Sequence, residues 1–127
     1  MKLSILITLL NEELVLAQTH AAISAQLDSM LGKDLSDYEI LYIDDGSNDN
    51  TFDLIEGIAR DNDRVNYIRF SRNFGRESGI LAGFKYATGD AVMVMDGDLQ
   101  HPPYLIPLFL EAYKEGYDIV SGQRTRD

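Results

Sequence analysis

The sequence predicts an α/β domain built on an open, mainly parallel sheet with helices on both faces. Three observations carry that expectation. Strand-like and helix-like segments alternate along the chain with no internal repeat and no low-complexity stretch, and such alternation implies parallel strands joined by right-handed crossovers. The run Ala91-Val92-Met93-Val94-Met95 is too short for a helix and lacks alternation, the pattern of a strand buried on both faces. Polar and acidic residues gather where the strand-like runs end, at the edge where open parallel sheets bind ligands.

Each element has its own signal. Leu3 to Thr8 is an apolar first strand, and Asn11 is placed to cap a helix reaching about Leu31 that buries Leu16, Ile23, Leu27 and Met30 at helical spacing. The polar stretch Gly32 to Asp37 connects it to a second strand, Tyr38 to Ile43. After the turn Asp44-Asp45-Gly46-Ser47, either Ser47 or Asp49 caps a helix carrying Phe52, Ile55, Ile58 and Ala59. Val65 to Phe70 is a third strand. A helix over about Ser78 to Ala87 stops at Gly89, and Ala91 to Met95 is the fourth strand. Pro102 and Pro103 suit the first turn of a helix that closes at Gly116, and Asp118 to Ser121 is a short fifth strand.

Composition narrows the function classes. The 127 residues suffice for one domain. No apolar run approaches the ~18 residues that cross a bilayer, and the apolar start reaches Asn11-Glu12-Glu13 without a small-residue cleavage site. The absence of cysteine excludes disulfides and thiolate metal sites and permits a reducing cytoplasm. A formal charge of −10 argues against a nucleic-acid partner. The same charge means that a phosphate ligand needs a metal ion or a local group of arginines.

The chemistry concentrates at Asp96-Gly97-Asp98, where a buried strand delivers two carboxylates to one point and Gly97 leaves room between them. Carboxylates are the hard-oxygen ligands that Mg²⁺ and Mn²⁺ prefer beside water and substrate phosphates. A solvated acidic turn is the alternative for this motif alone. Acidic strand ends also occur at Asn11-Glu12-Glu13 and Asp44-Asp45, and their convergence by topology favours a functional reading of Asp45 and Asp98. For Asn11, Glu13 and Ser47, a cap or turn role stands equally open. Arg72 and Arg76 flank Asn73-Phe74-Gly75 at the same edge, suited to phosphate oxygens or to surface ion pairing. His101, a loop histidine ahead of two prolines, is assigned to structure.

Four segments together carry a resemblance: Ile5-Leu6-Ile7-Thr8-Leu9-Leu10-Asn11-Glu12-Glu13, Ile43-Asp44-Asp45-Gly46-Ser47-Asn48-Asp49, Ser71-Arg72-Asn73-Phe74-Gly75 and Asp96-Gly97-Asp98-Leu99-Gln100-His101-Pro102-Pro103. In this order they resemble the motifs of family 2 glycosyltransferases, most of all the polyprenyl-phosphate (dolichol- or bactoprenol-phosphate) sugar transferases. The resemblance implies the Rossmann-like nucleotide-binding half of a GT-A fold and an inverting transfer of a hexosyl group from a UDP- or GDP-sugar to a lipid-phosphate or glycan acceptor. It implies that Thr8, Asn11, Glu12 and Asp45 line the nucleoside pocket, with Arg72 and Arg76 on the donor. Asp96 would sit near the ribose or metal-bound waters, and Asp98 with Gln100 would hold Mg²⁺ or Mn²⁺ against the diphosphate. Arg124, in Gly122-Gln123-Arg124, matches an arginine that approaches the phosphates, so Asp96, Asp98 and Arg124 form the implied catalytic set. The family usually has proline where Thr8 stands and an aromatic where Leu10 stands, which alters the expected contacts to the base.

Catalytic domains of this family run to nearly twice the present length. The chain is therefore expected to be a single, C-terminally truncated nucleotide-sugar-binding domain, with acceptor-binding and membrane-associating segments beyond it. The implied location is the cytoplasmic face of a membrane, and a homo-oligomer is an open partner. Two rival classes remain. A receiver-like Mg²⁺-binding phosphoacceptor domain should carry paired acids after its first strand and a lysine after its fifth, where this chain has Gln123-Arg124. A non-catalytic nucleotide-binding or interaction module would look the same as a fragment of an active enzyme.

Overall fold

Lys2–Leu9 forms β1, and its residues point alternately to the two faces of a sheet, as the two-residue strand period requires. Leu3, Ile5, Ile7 and Leu9 belong to one core cluster and Leu6 to another. The computed structural model describes residues 1–97 and 102–116. Within them follow α1 (Leu16–Met30), β2 (Asp37–Asp44), α2 (Thr51–Asp61), β3 (Val65–Arg69), α3 (Arg76–Tyr86), β4 (Ala91–Asp96) and α4 (Leu105–Lys114). The four strands form one sheet in the order β3-β2-β1-β4, and every pairing is parallel. The expected fifth strand, Asp118 to Ser121, lies outside the described residues.

Helices cover both faces, unequally. On one face Leu16, Ile23, Leu27 and Met30 of α1 pack with Ile55 of α2 and with Ile106 and Leu110 of α4 against the odd-numbered residues of β1 and β4 and the even-numbered ones of β2. On the other face α3 approaches the sheet through two glycines. A methyl group at Gly83 would stand 2.8 Å from Leu6 Cδ1, and one at Gly79 would stand 3.2 Å from Ile43 Cγ2. The absence of side chains there lets the helix axis settle close to β1 and β2.

Four local expectations are corrected. The helix expected from Asn11 begins at Leu16, because Asn11 takes a left-handed φ of 54° and residues 11–13 are tied to the segment after β2. The third helix starts at Arg76, directly after Gly75 at φ 100°. Gly89 does not reverse the end of that helix; it permits close approach, since a Cβ there would lie 2.6 Å from Ser4 Oγ. Pro102 and Pro103 precede α4, whose N-cap is Tyr104, and their carbonyls accept from the Leu105 and Ile106 N–H groups. Strand β4 also departs from full burial: Val92 and Val94 are only half-buried on the α3 side, while Ala91, Met93 and Met95 are buried.

At the amino edge a buried carboxylate ties three segments together. Glu39 Oε2 accepts from Ser4 Oγ (2.5 Å), Thr88 N–H (2.6 Å) and Thr88 Oγ1 (2.9 Å), and Ser4 Oγ in turn accepts from Gly89 N–H at 2.8 Å. Burial acts to raise the Glu39 pKa, but the hydrogen bonds from Ser4 and Thr88 outweigh it and hold the carboxyl below its usual value.

Candidate functional site

The chain steps outward from β1 to β2 to β3, then returns to place β4 on the other side of β1. The strand order therefore reverses between β1 and β4, and the carboxyl edge of that junction is where open sheets leave a crevice. Thr8 and Asp96 are register partners across it. Thr8 is half-buried on the α3 face; its carbonyl accepts from Gly97 N–H at 3.3 Å. Gly97 is forced by contact: a Cβ there would lie 2.0 Å from Leu9 Cδ2.

Arg76, the first residue of α3, reaches the same point. Its Nε lies 2.7 Å from Asp96 Oδ1, and the two side chains are 51% and 11% exposed. The sheet edge thus carries a largely buried carboxylate beside an accessible guanidinium. The carboxylate is a hard oxygen donor that fits a divalent cation or its waters, and the guanidinium fits phosphate oxygens. Among the described residues no three His, Cys, Asp or Glu side chains gather into a set able to hold a metal ion. Asp98 and Gln100, the expected metal ligands, and Arg124 lie outside the described residues.

The β1–α1 and β2–α2 loops are stitched to each other. Asn11 N–H donates to Ser47 Oγ (2.9 Å) and Asn48 N–H returns a bond to Asn11 Oδ1 (2.8 Å). Glu12 N–H donates to Thr51 Oγ1 (2.9 Å), Glu13 N–H to Asp49 Oδ2 (3.3 Å), and Asn50 N–H to Glu13 Oε2 (3.1 Å). Asn11, Glu13 and Ser47 therefore fasten one loop to the other, and neither Asn11 nor Ser47 caps a helix. Asp49 Oδ1 accepts from the Thr51 N–H and hydroxyl, in the first turn of α2. Burial acts to raise the Asp49 pKa, but the bonds from Thr51 and Glu13 prevail and lower it.

The two aspartates at the end of β2 divide their work. Asp44 is fully buried; its Oδ1 accepts from Ser47 N–H at 3.0 Å, while Oδ2 has no hydrogen-bond partner among the described residues. Sequence reasoning passed over this residue in favour of Asp45. Strand parity is the signal that finds it, because Tyr38, Ile40, Tyr42 and Asp44 share a face. Asp45, 4% exposed, accepts with both oxygens from backbone: Phe74 N–H at 2.8 Å and Gly75 N–H at 3.1 Å.

That bond set fixes the segment carrying the two arginines. Arg72 lies over the Phe74 ring at 4.7 Å, and Phe74 meets Phe70 edge-on at 5.5 Å. A groove of about 720 Å³ opens beside it, lined by Ser47, Asn48, Arg69, Ser71, Arg72 and Asn73 among others. The groove lies over the ends of β2 and β3, on the same edge as the β1–β4 crevice but displaced from Asp96. The structure thus brings Thr8, Asp96 and Arg76 together, sets Asn11 and Glu12 against the β2–α2 loop, and places Arg72 on the neighbouring groove.

Known proteins share this sequence pattern and this fold. A family model described as "Glycosyl transferase family 2" matches residues 4–127. CsbB of Bacillus subtilis (strain 168), provisionally named as a glycosyltransferase, is 57% identical over 90 residues, which cover 71% of this chain and 27% of CsbB. The uncharacterized glycosyltransferase YkcC of the same organism is 40% identical over 123 residues, covering 97% of this chain and 37% of YkcC. The chain thus spans between a quarter and two-fifths of the length of these relatives. Among solved structures, the mannosyltransferase PcManGT from Pyrobaculum calidifontis, in complex with GDP-Man and Mn²⁺, superposes with a TM-score of 0.63 at 18% identity over 76% of this chain and 27% of its own. Residues 1–349 of S. aureus TarS, in complex with UDP-GlcNAc, give 0.54 at 23% identity over 77% of this chain and 27% of the other. At such identities the likeness is one of fold.

Proposed function

The chain belongs to glycosyl transferase family 2, and on that premise we propose that it holds the donor of a transfer from a UDP- or GDP-linked hexose to a polyprenyl phosphate, with inversion at the anomeric carbon. It is a glycosyltransferase domain of the GT-A fold, with a parallel sheet whose carboxyl edge carries the polar groups. The observation that carries the donor reading is the Arg76–Asp96 pair at the point where strand order reverses. The ligands of the two solved complexes, GDP-Man with Mn²⁺ in one and UDP-GlcNAc in the other, support the ligand class. The acceptor class rests on the resemblance of Asp96-Gly97-Asp98-Leu99-Gln100-His101-Pro102-Pro103 to polyprenyl-phosphate transferases.

In this reading the nucleoside lies against Thr8, Glu12 and the end of β2, where Asp44 Oδ2 offers an acceptor to a base or ribose donor. Asp96 would orient the ribose or a bound cation, and Asp98 with Gln100 would hold Mg²⁺ or Mn²⁺. A bound cation would supply charge neutralisation to the departing nucleoside diphosphate. Arg76, and Arg124 from the far end of the chain, add positive charge where a protein of net charge −10 otherwise repels phosphate. An acceptor phosphate arrives already ionised, so its oxygen attacks the anomeric carbon while the donor C–O bond breaks, and no protein base is needed. The reaction takes place at the cytoplasmic face of a membrane. No helix among the described residues is long and apolar enough to cross one.

A thermal-shift screen of UDP- and GDP-sugars with Mn²⁺ tests the donor class: one nucleotide series raises the melting temperature, and no shift with either refutes the reading. A radiolabelled assay with polyprenyl phosphate tests the acceptor. The 127 residues alone are expected to bind donor without appreciable transfer, since acceptor misplacement by even ~1 Å costs ~100-fold; the relatives matched above are much longer.

A further inference from the structure

We propose that the outward face of α3, with the loop that leads into it, is a surface that lies on an anionic phospholipid bilayer. The inference goes beyond the donor reading above and stands without it, since vesicle binding is read with no nucleotide present. Gly79 and Gly83 face the sheet, and Leu81 and Lys85, each two residues on, stand about 200° round the helix from them. Phe84 lies beside them, one turn after Leu81. Leu81 is 71% exposed and Phe84 51%. A surface helix ordinarily turns its apolar stripe to the core and its polar residues to water. This one buries glycine and presents leucine and phenylalanine instead. The rings of Phe74 and Tyr86, at either end of the helix, are exposed as well.

Charge says what covers this face. Residues 64–89 hold five basic residues, Arg64, Arg69, Arg72, Arg76 and Lys85, against one acidic, Glu77, while the rest of the chain holds six against twenty. Arg64 is paired with Asp37 and Arg76 with Asp96. Arg72 and Lys85 form no ion pair among the described residues; each lies over an exposed ring, Arg72 over Phe74 at 4.7 Å and Lys85 over Tyr86 at 5.8 Å. On the opposite face of the sheet, α2 carries Asp53, Glu56 and Asp61 with a single arginine, Arg60. The two faces thus differ in sign. Apolar side chains set among cations suit a lipid headgroup layer, where the first enter the acyl boundary and the second meet anionic phosphates. The acids of α2 stand behind the sheet, and charge is felt over only ~10 Å at about 0.1 M salt. A second copy joined through the same face would bring like charges together. Because Arg76 at the head of α3 holds Asp96, a chain lying on α3 has its β1–β4 crevice near the lipid surface.

The chain has no tryptophan, so Leu81→Trp on α3 and Leu54→Trp on α2 each supply a single fluorophore, one on either face. The 127-residue chain is sedimented with vesicles of phosphatidylcholine alone and of phosphatidylcholine mixed with phosphatidylglycerol, at low and high salt. The wild type is expected to sediment with the anionic vesicles only and to be released by high salt. The emission of Leu81→Trp should shift to the blue with those vesicles, and that of Leu54→Trp should stay in place. Lys85→Glu, and Leu81→Ser combined with Phe84→Ser, should each weaken partition about tenfold or more. Arg60→Glu, the same charge change on α2, should stay within about twofold of wild type. No sedimentation with anionic vesicles would overturn the proposal. So would equal binding to the neutral vesicles, a shift of Leu54→Trp in place of Leu81→Trp, or binding that survives both α3 variants. A Leu81→Trp shift that grows with protein concentration and needs no vesicles would assign the face to a second copy and overturn it too. The donor reading is decided separately, by nucleotide titration.

Discussion

At Gly46 one methyl group is enough to push a pair of loops apart. The residue sits at φ 81°, and its missing Cβ leaves the backbone of Arg72 and Asn73 in contact with it. Gly46→Ala is expected to cost ~1–3 kcal/mol in urea unfolding, from left-handed strain plus backbone displacement, and to loosen the arginine segment. Glu39 gives a prediction with a pH signature. Its pKa lies lower in the folded state than the ordinary 4.5, so its stabilisation is present above that value and is lost as pH falls through the folded one. Glu39→Gln should therefore destabilise the chain near neutrality, and the gap to wild type should close in strong acid, as urea midpoints at a series of pH values would show. A gap independent of pH would assign the effect to packing. Single residues were the least legible level of this sequence. Asn11 carries the local signature of a helix cap, yet its partners are Ser47 and Asn48, brought near only by the fold. Nothing local to Asp45 announces that Phe74 and Gly75, some thirty residues on, will donate to its two oxygens.

Elements were more legible than their ends. The spacing of Leu16, Ile23, Leu27 and Met30 marks α1 and its buried face without help from any other segment. Its start was obscured because the cap signal at Asn11 serves an inter-loop bond instead. In β4, apolar residues at every position suggested burial on both faces, but α3 settles over β1 and β2 and leaves Val92 and Val94 half-buried. Composition alone could not show which flank the helix would favour. Its choice follows from Gly79 and Gly83, whose faces meet Ile43 and Leu6. Gly83→Val should lift that end of α3 and cost ~1–3 kcal/mol by overpacking. Gly83→Ala should cost less, because the nearest atom is the movable end of Leu6. If neither substitution destabilises in chemical denaturation, and Gly83→Ala is the more stable of the two, helix propensity rather than close approach governs the site.

For the whole molecule, strand–helix alternation was sufficient to anticipate a parallel sheet, and a ligand edge followed from it. The order β3-β2-β1-β4 was not readable, since it depends on which strands pair across long separations. That order is what faces Thr8 with Asp96 and brings Arg76 to the same edge. Net charge belongs to this scale as well. With a formal charge of −10 over the chain, an unaccompanied diphosphate meets repulsion that two or three arginines offset only locally. Binding should accordingly depend on a divalent cation. The most direct measurement is calorimetric titration of UDP and GDP into the 127-residue chain with Mn²⁺ and again with EDTA, repeated for Asp98→Asn. The account predicts that one of the two nucleotides binds with Mn²⁺, that EDTA weakens it about tenfold or more, and that Asp98→Asn reproduces the EDTA result with the fold intact. Equal affinity with and without the metal, or no binding of either nucleotide, would contradict it.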